Sequence, residues 1–191
     1  MKSDLKAKFL QHLASKKRDG GFTLIELLVV IIIIGILAAI ALPSFLNQAN
    51  KAKQSEAKTY VGSANRAQQA YFLENSEFAL TNEFGKLGLG VSTSTTNYVY
   101  RLVTPKSAVG TPATTRTFAD VKVDNAPLKP YAGGVAVGKT GTGSSQEATT
   151  IAILCEAIDA NTINSKGKTL ADTDVKLGDT PECAVNAKPI K

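Results

Sequence analysis

Histidine, methionine, tryptophan and cysteine are almost absent from this 191-residue chain. The single histidine is His12, the single methionine is Met1, tryptophan does not occur, and there are two cysteines. Because no imidazole follows residue 21, histidine-based acid–base catalysis and histidine-ligated metal centres are excluded from nearly the whole chain. We therefore predict no catalytic residues, no metal and no cofactor, and expect the chain not to be an enzyme.

Positive charge is concentrated at the start of the chain. The formal net charge is +6, of which residues 1–21 carry +4 and the other 170 residues carry only +2. A nucleic-acid-binding domain needs a basic surface on its folded part. We predict no specific nucleic-acid partner.

A long apolar run follows this basic stretch. Residues 22–42 read FTLIELLVVIIIIGILAAIAL, with Glu26 as the only charge. A helix of that length spans the ~30 Å hydrocarbon core of a bilayer, and burial of its Leu, Ile and Val side chains provides about 20–35 kcal/mol of driving force out of water. The run predicts a membrane-spanning helix, with the basic stretch cytoplasmic and the rest of the chain across the membrane.

An ordinary secretory signal is the alternative interpretation. A basic stretch, an apolar run and the sequence AIA at residues 39–41 resemble a signal that is cut after Ala41. Glu26 argues against it, because a charge in a lipid-facing helix costs about 2.5–3.5 kcal/mol near the centre and less near an end. A signal peptide that is removed gains nothing from a glutamate with this energetic cost, so Glu26 disfavours the secretory-signal interpretation.

If the chain is cut between Gly21 and Phe22, the Glu26 carboxylate can form an ion pair. The carboxylate then lies one helical turn from a new, positively charged amine, where the helix dipole also favours it. It could pair with the amine of an adjacent copy of the same helix. The position alone leaves a second interpretation open, in which the charge simply rests at the lipid headgroups.

Residues 16–27, KKRDGGFTLIEL, strongly resemble the class III signal of type IV pilins, and the resemblance extends through Gly35 and Pro43 to about residue 73. The chain resembles the precursor of a type IVa-like major pilin. Residues 71–79 (YFLENSEFA) and 86–90 (KLGLG) look most like segments of cyanobacterial pilins.

The resemblance implies a defined processing and assembly route. A prepilin peptidase would remove residues 1–21 as a cytoplasmic leader and methylate the amine of Phe22. Glu26 would pair with the amino terminus of a neighbouring subunit, while Gly35 and Pro43 would make the helix flexible. The precursor would cross the inner membrane once, and the pilus assembly machinery would then add it to an extracellular homopolymer.

Two helical halves and a head are expected, an α+β arrangement. Residues 22–43 form the apolar half and residues 44–73 an amphipathic half that packs on an antiparallel sheet. The predicted apolar face comprises Phe45, Ala49, Ala52, Tyr60, Ala64, Ala67 and Tyr71. The predicted polar face comprises Asn47, Lys51, Gln54, Lys58, Asn65 and Arg66.

The head, residues 74–191, contains short β-branched and aromatic runs between polar loops. We predict strands at residues 96–103, 115–123 and 150–158, and exposed loops at 91–96 and 133–145.

Two cysteines on the far side of a membrane favour a disulfide between Cys155 and Cys183. The segment between them is expected to be a solvated surface loop. Its acids Asp172, Asp174 and Asp179 lack the spacing and the glycine of an EF-hand.

The predicted function is a structural pilus subunit serving motility, adhesion or DNA uptake. Two alternatives stay open at this point. One is a minor pilin or a type II secretion pseudopilin, which shares the signal. The other is a membrane-anchored or secreted binding domain that never polymerises.

Overall fold

The computed structural model of the protein describes residues 21–105, 113–123, 126–140, 147–158, 170–171, 174–178, 181–184 and 187–190. The chain divides into two compact units, residues 1–47 and 48–191. One helix, α1 (Leu24–Asn75, 52 residues), contributes to both units. It ends two residues beyond the predicted end.

In the first unit, the described residues are exposed except for the partly buried Ala38. Within the described parts of the chain, α1 is the one helix long and apolar enough to cross a membrane by length and composition. Its most apolar 18-residue window has a mean hydropathy of 3.1 and is not buried. The helix continues through Gly35 and Pro43, so the flexibility expected at these two residues stays a prediction.

In the second unit, a short 3-10 helix (Phe84–Leu87) follows α1. The strands among the described residues are β1 (Tyr98–Val103), β2 (Thr114–Val121), β3 (Tyr131–Thr140), β4 (Glu147–Ala157), β5 (Val175–Lys176), β6 (Glu182–Cys183) and β7 (Ala187–Pro189). They form a five-stranded antiparallel sheet in the order β1-β2-β3-β4-β7 and a two-stranded sheet of β5 and β6.

The part of α1 in the second unit packs on one face of the large sheet, which confirms the predicted α+β class. Ala57 and Val61 of the helix join a core with the buried tyrosines of the strands. Tyr60 stacks on Tyr100 with 4.5 Å between ring centroids. These contacts follow from the sheet register, which turns Tyr98, Tyr100 and Tyr131 toward the same face.

The buried face of α1 agrees with the predicted one only in part, at Ala64 and at the partly buried Tyr60, Ala67 and Tyr71. Its buried residues are Ala57, Val61, Ala64, Asn65 and Gln68, and they include one amide that was placed on the polar face. The backbone pairs with the side-chain amides of Gln68 and Asn65, but with that of Asn65 only in part, since Asn65 Oδ1 has no hydrogen-bond partner among the described residues. Asn65 Nδ2 donates to Ile153 O (2.9 Å), and Gln68 exchanges hydrogen bonds with the N–H and C=O of Ala79. Phe45, expected on the apolar face, is 71% exposed.

Strand β3 contradicts the predicted loop at residues 133–145. Residues 133–140 lie in the central strand of the sheet, and residues 141–145 fall outside the described residues. The glycines that suggested a loop are required for packing. A β-carbon at Gly133 would lie 2.6 Å from Val61 Cγ1 of α1, and one at Gly134 would lie 2.5 Å from Leu177 Cδ2 on the opposite face.

The other strand predictions are confirmed with shifted ends, at β1, β2 and β4. The short strands β5, β6 and β7 were not predicted. A disulfide joins Cys155 and Cys183, as predicted.

The segment between the cysteines is not wholly a solvated loop, because Leu170 and Val175 have no exposed surface. They join Phe118 and Cys155 in a second core on the sheet face opposite α1. The unit therefore has a third layer that the sequence did not reveal.

Candidate functional site

The amino-terminal end of α1 carries the residues that the sequence singled out for processing and assembly. Gly21 and Phe22 precede the helix, and Phe22 is 80% exposed. Thr23 is the residue immediately before α1, and Glu26 lies in the first helical turn. The predicted cleavage and methylation positions, Gly21 and Phe22, therefore lie five and four residues before the predicted assembly carboxylate.

Thr23 and Glu26 form a reciprocal hydrogen-bonded pair. The backbone N–H and the hydroxyl of Thr23 each donate to Glu26 Oε2 at 2.8 Å, and the Glu26 N–H donates to Thr23 Oγ1 at 3.3 Å. This is a capping box, which satisfies amide groups that the first helical turn leaves without partners. The T-x-x-E spacing at residues 23–26 was a sufficient signal for it, and the sequence interpretation missed it.

The capping box fixes where the carboxylate lies. Its surroundings are apolar, since Phe22, Ile25, Val29 and Val30 line a shallow groove beside Glu26. These side chains are exposed in the single chain. The arrangement offers one acceptor group to a cation of another molecule within an apolar surface.

The remaining predicted site residues lie elsewhere. Gly35 and Pro43 are further along α1, and the Cys155–Cys183 disulfide lies in the second unit. Asp174 is buried and its carboxylate accepts the N–H of Ala171 at 2.8 Å. Asp172 and Asp179 fall outside the described residues.

Glu156, which the sequence analysis did not single out, joins three segments of the second unit. Its carboxylate lies 3.2 Å from Lys58 Nζ of α1, 3.2 Å from Lys129 Nζ before β3, and 3.8 Å from Lys188 Nζ of β7. Burial raises the pKa of Glu156, whereas the hydrogen bonds from Lys58 and Lys129 lower it. The lowering effects together are larger, so the pKa of Glu156 lies below the usual value. Glu156 stays ionised at neutral pH and ties the helix to the sheet.

Two protein families match the sequence. The family described as "Type IV pilin-like G and H" matches residues 54–184, and the family described as "Prokaryotic N-terminal methylation motif" matches residues 16–42. The first match covers more than half of the chain and includes most of the second unit. No solved structure gives a significant match.

Curated relatives match mainly over a short region. The type IV major pilin protein PilA of Myxococcus xanthus is 49% identical over 69 residues, which cover 36% of this chain and 31% of that protein. The type IV wide pilus major component PilA4 of Thermus thermophilus is 35% identical over 83 residues, which cover 44% of this chain and 63% of that protein.

A relative from a different apparatus also matches. The type II secretion system core protein G of Aeromonas hydrophila is 37% identical over 68 residues, which cover 36% of this chain and 48% of that protein. Each of these three matches thus spans less than two thirds of the relative's length.

Proposed function

Because this chain belongs to the type IV pilin-like family, we propose that it is a structural subunit of a type IV pilus. The observation that carries the proposal is the end of α1, where a capped carboxylate, Glu26, stands on an exposed apolar helix beside the Gly21–Phe22 bond. A prepilin peptidase would cut that bond and methylate the amine of Phe22. The proposal gives the chain no catalytic role.

The apolar part of α1 serves two environments in turn. In the precursor it crosses the inner membrane once, which agrees with its length and hydropathy. In the filament it packs among copies of the same helix. The transfer exchanges one apolar environment for another, so hydrophobic burial contributes little net free energy. Packing, head contacts and the pairing of Glu26 must supply the affinity, and an assembly machinery must supply the work of extraction.

Glu26 would set the register between neighbouring helices. Cleavage gives Phe22 a positively charged amine, and a carboxylate whose charge is not balanced by a cation is costly in apolar surroundings. A neighbouring amine that reaches Glu26 removes this cost in one axial position only. The capping box contributes by holding the carboxylate at the first turn before the neighbour arrives.

Gly35 and Pro43 would provide the flexibility that insertion into a filament requires. Glycine costs about 1 kcal/mol in a helix interior, and proline removes one backbone hydrogen bond. The two residues weaken the same stretch of the apolar half. We propose that this stretch loosens when the subunit is packed.

Substitution of Glu26 tests the proposal. We expect Glu26→Ala to leave cleavage and membrane insertion intact and to abolish normal surface filaments. Glu74→Ala is the matched control, because Glu74 is an exposed glutamate near the other end of α1, and filaments should remain. Normal filaments from the Glu26→Ala variant would remove the assembly role assigned to this residue.

A pseudopilin or minor pilin is the second candidate, favoured by the match to the type II secretion protein G. Both candidates share the processing site, so cleavage does not distinguish them. The amount of the protein in material sheared from the cell surface does. A major pilin should dominate the protein sheared from the cell surface, whereas a pseudopilin or minor pilin should be scarce there. A protein that never polymerises would give no fibres under any condition.

A further inference from the structure

The third layer of the second unit, on the sheet face opposite α1, includes the described residues 170–171 and 174–178. These residues are called here the returning segment. Leu170 and Val175 are fully buried in it. Val175 Cγ1 and Leu177 Cδ2 lie so close to Gly134 of β3 that a β-carbon there would come within 2.8 Å and 2.5 Å of them.

Two arginines of neighbouring strands bind the backbone of this segment. Arg116 of β2 donates from Nε to the carbonyl oxygen of Val175 at 3.1 Å. Arg101 of β1 donates from Nη2 to the carbonyl oxygen of Leu170 at 2.7 Å. The two contacts hold different parts of the segment, and hydrogen bonds from a charged donor are stronger than neutral ones.

Arg101 is itself fixed by the sheet. Its Nε lies 2.6 Å from Asp120 Oδ2 of β2, and its guanidinium lies 3.9 Å from the centroid of the Phe118 ring. The charge pair and the ring contact both come from β2, which pairs with β1. The donor that reaches Leu170 is therefore held in place by residues outside the returning segment.

The disulfide attaches the segment from another direction. Cys155 lies in β4, and Cys183 lies in β6, where it pairs across the small sheet with Val175. The arginine contacts come from the opposite half of the large sheet, from β1 and β2. The segment thus has two attachments that share no side chain.

We propose that Arg101 and Arg116 hold the returning segment on the sheet independently of the disulfide, so that the segment stays docked when Cys155 and Cys183 are reduced. The disulfide then adds to the free energy of unfolding without setting the position of the segment. The surface that these residues present is preserved under reducing conditions. This inference concerns the folded second unit and holds whether or not the chain polymerises.

The test reads docking directly by nuclear Overhauser cross-peaks between the glycine protons of Gly134 and the methyl groups of Val175 and Leu177. The full chain is isotope-labelled and kept in detergent micelles. Removal of the disulfide by Cys155→Ser with Cys183→Ser should leave these cross-peaks in place. Arg116→Met, combined with Arg101→Gln and Asp120→Asn, should abolish them although the disulfide is intact.

The variants are chosen so that each result decides. Asp120→Asn accompanies Arg101→Gln because loss of the arginine charge beside the buried Asp120 carboxylate would destabilise the sheet for a different reason. Arg66→Met is the matched control, since Arg66 is an exposed arginine whose guanidinium donates a hydrogen bond to Ser63 of the same helix, α1. It should change nothing at Gly134.

Loss of the cross-peaks in the cysteine variant would show that the disulfide holds the segment, and would overturn the proposal. Their persistence in the arginine variant would show that apolar packing suffices, and would overturn it as well. Cross-peaks between the rings of Tyr60 and Tyr100 verify that each variant is folded. If the combined variant fails this check, Arg116→Met alone is used with a criterion at Val175, whose carbonyl Arg116 binds. Weaker cross-peaks between Gly134 and Val175 would support the proposal, and unchanged ones would overturn it.

Discussion

Asn65 of α1 lies directly against the backbone of Gly133 in β3, at a place where a β-carbon on residue 133 would overlap the Asn65 amide. The same amide donates from Nδ2 to the carbonyl oxygen of Ile153 in β4. The Asn65 side chain thus occupies the space that a β-carbon on residue 133 would fill, a space called here the notch. This contact fixes the position of α1 along the sheet.

Gly133→Ala should therefore destabilise the second unit by about 1–3 kcal/mol, the usual cost of overpacking a well-packed core. The added methyl group collides with Val61 and Asn65, and α1 must shift. Urea unfolding followed by near-ultraviolet circular dichroism of the buried tyrosines measures the effect. Gly178→Ala is the control, because a β-carbon there meets nothing within 4 Å. Equal stability of the two variants would show that the notch is not needed.

Glu156→Gln should lower stability at pH 7 by about 1–3 kcal/mol, because it removes charge-assisted hydrogen bonds to Lys58 and Lys129. Thermal unfolding at pH 7 checks this. Glu74→Gln, at an exposed position, is the control and should change the midpoint little.

The Glu156 carboxylate also predicts that the stability of the folded chain decreases at acidic pH. The pKa of Glu156 is lower in the folded chain than the usual 4.5, so its contribution is complete at neutral pH and is lost as the pH falls below that value. The difference in thermal midpoint between the parent and Glu156→Gln should shrink as the pH is lowered from about 5 toward about 3, because a glutamate whose pKa lies below the usual value becomes protonated in that range. A difference that does not change with pH would contradict the ion pairs.

Thr23→Val should open the first turn of α1. It removes the hydroxyl of the capping box, and loss of such a cap costs about 0.5–2 kcal/mol. Amide exchange at Thr23 and Glu26 in micelles should accelerate roughly 2- to 30-fold, as that energy implies. Thr23→Ser keeps the hydroxyl and should exchange like the parent. Exchange unchanged by the valine would show that Thr23 does not cap the helix.

Removal of the disulfide should lower the free energy of unfolding by about 3.5 kcal/mol, because the bridge closes a loop of roughly 29 residues in the unfolded chain. Urea unfolding of Cys155→Ser with Cys183→Ser against the parent measures it. Reductant added to the cysteine-free variant should have no further effect. A loss well under 1 kcal/mol would contradict the chain-entropy estimate.

The sequence was most informative where local patterns decide the structure. A helix as long as α1 follows from an apolar run joined to a helical one, and β1, β2 and β4 follow from β-branched and aromatic runs. The methylation-motif family match, residues 16–42, also lies within one continuous stretch of the chain.

What the sequence did not reveal depends on contacts between distant segments. Gly133 and Gly134 were interpreted as a loop, because glycine is common in turns. In the structure, their lack of a side chain lets α1 pack closely against Gly133 and the segment with Val175 and Leu177 pack closely against Gly134 on the other face. Asn65 was placed outside because its hydrogen-bond partner, Ile153, lies 88 residues away. Glu156 was missed because its three lysines come from separate segments.

Mass spectrometry of the amino-terminal peptide from fibres sheared off the cell surface tests the central claim most directly. The account predicts a chain that begins at Phe22 with one added methyl group, and therefore keeps the whole apolar helix with Glu26. A chain that begins at Leu42, after a cut behind Ala41, or a protein recovered only as single soluble copies, would contradict it.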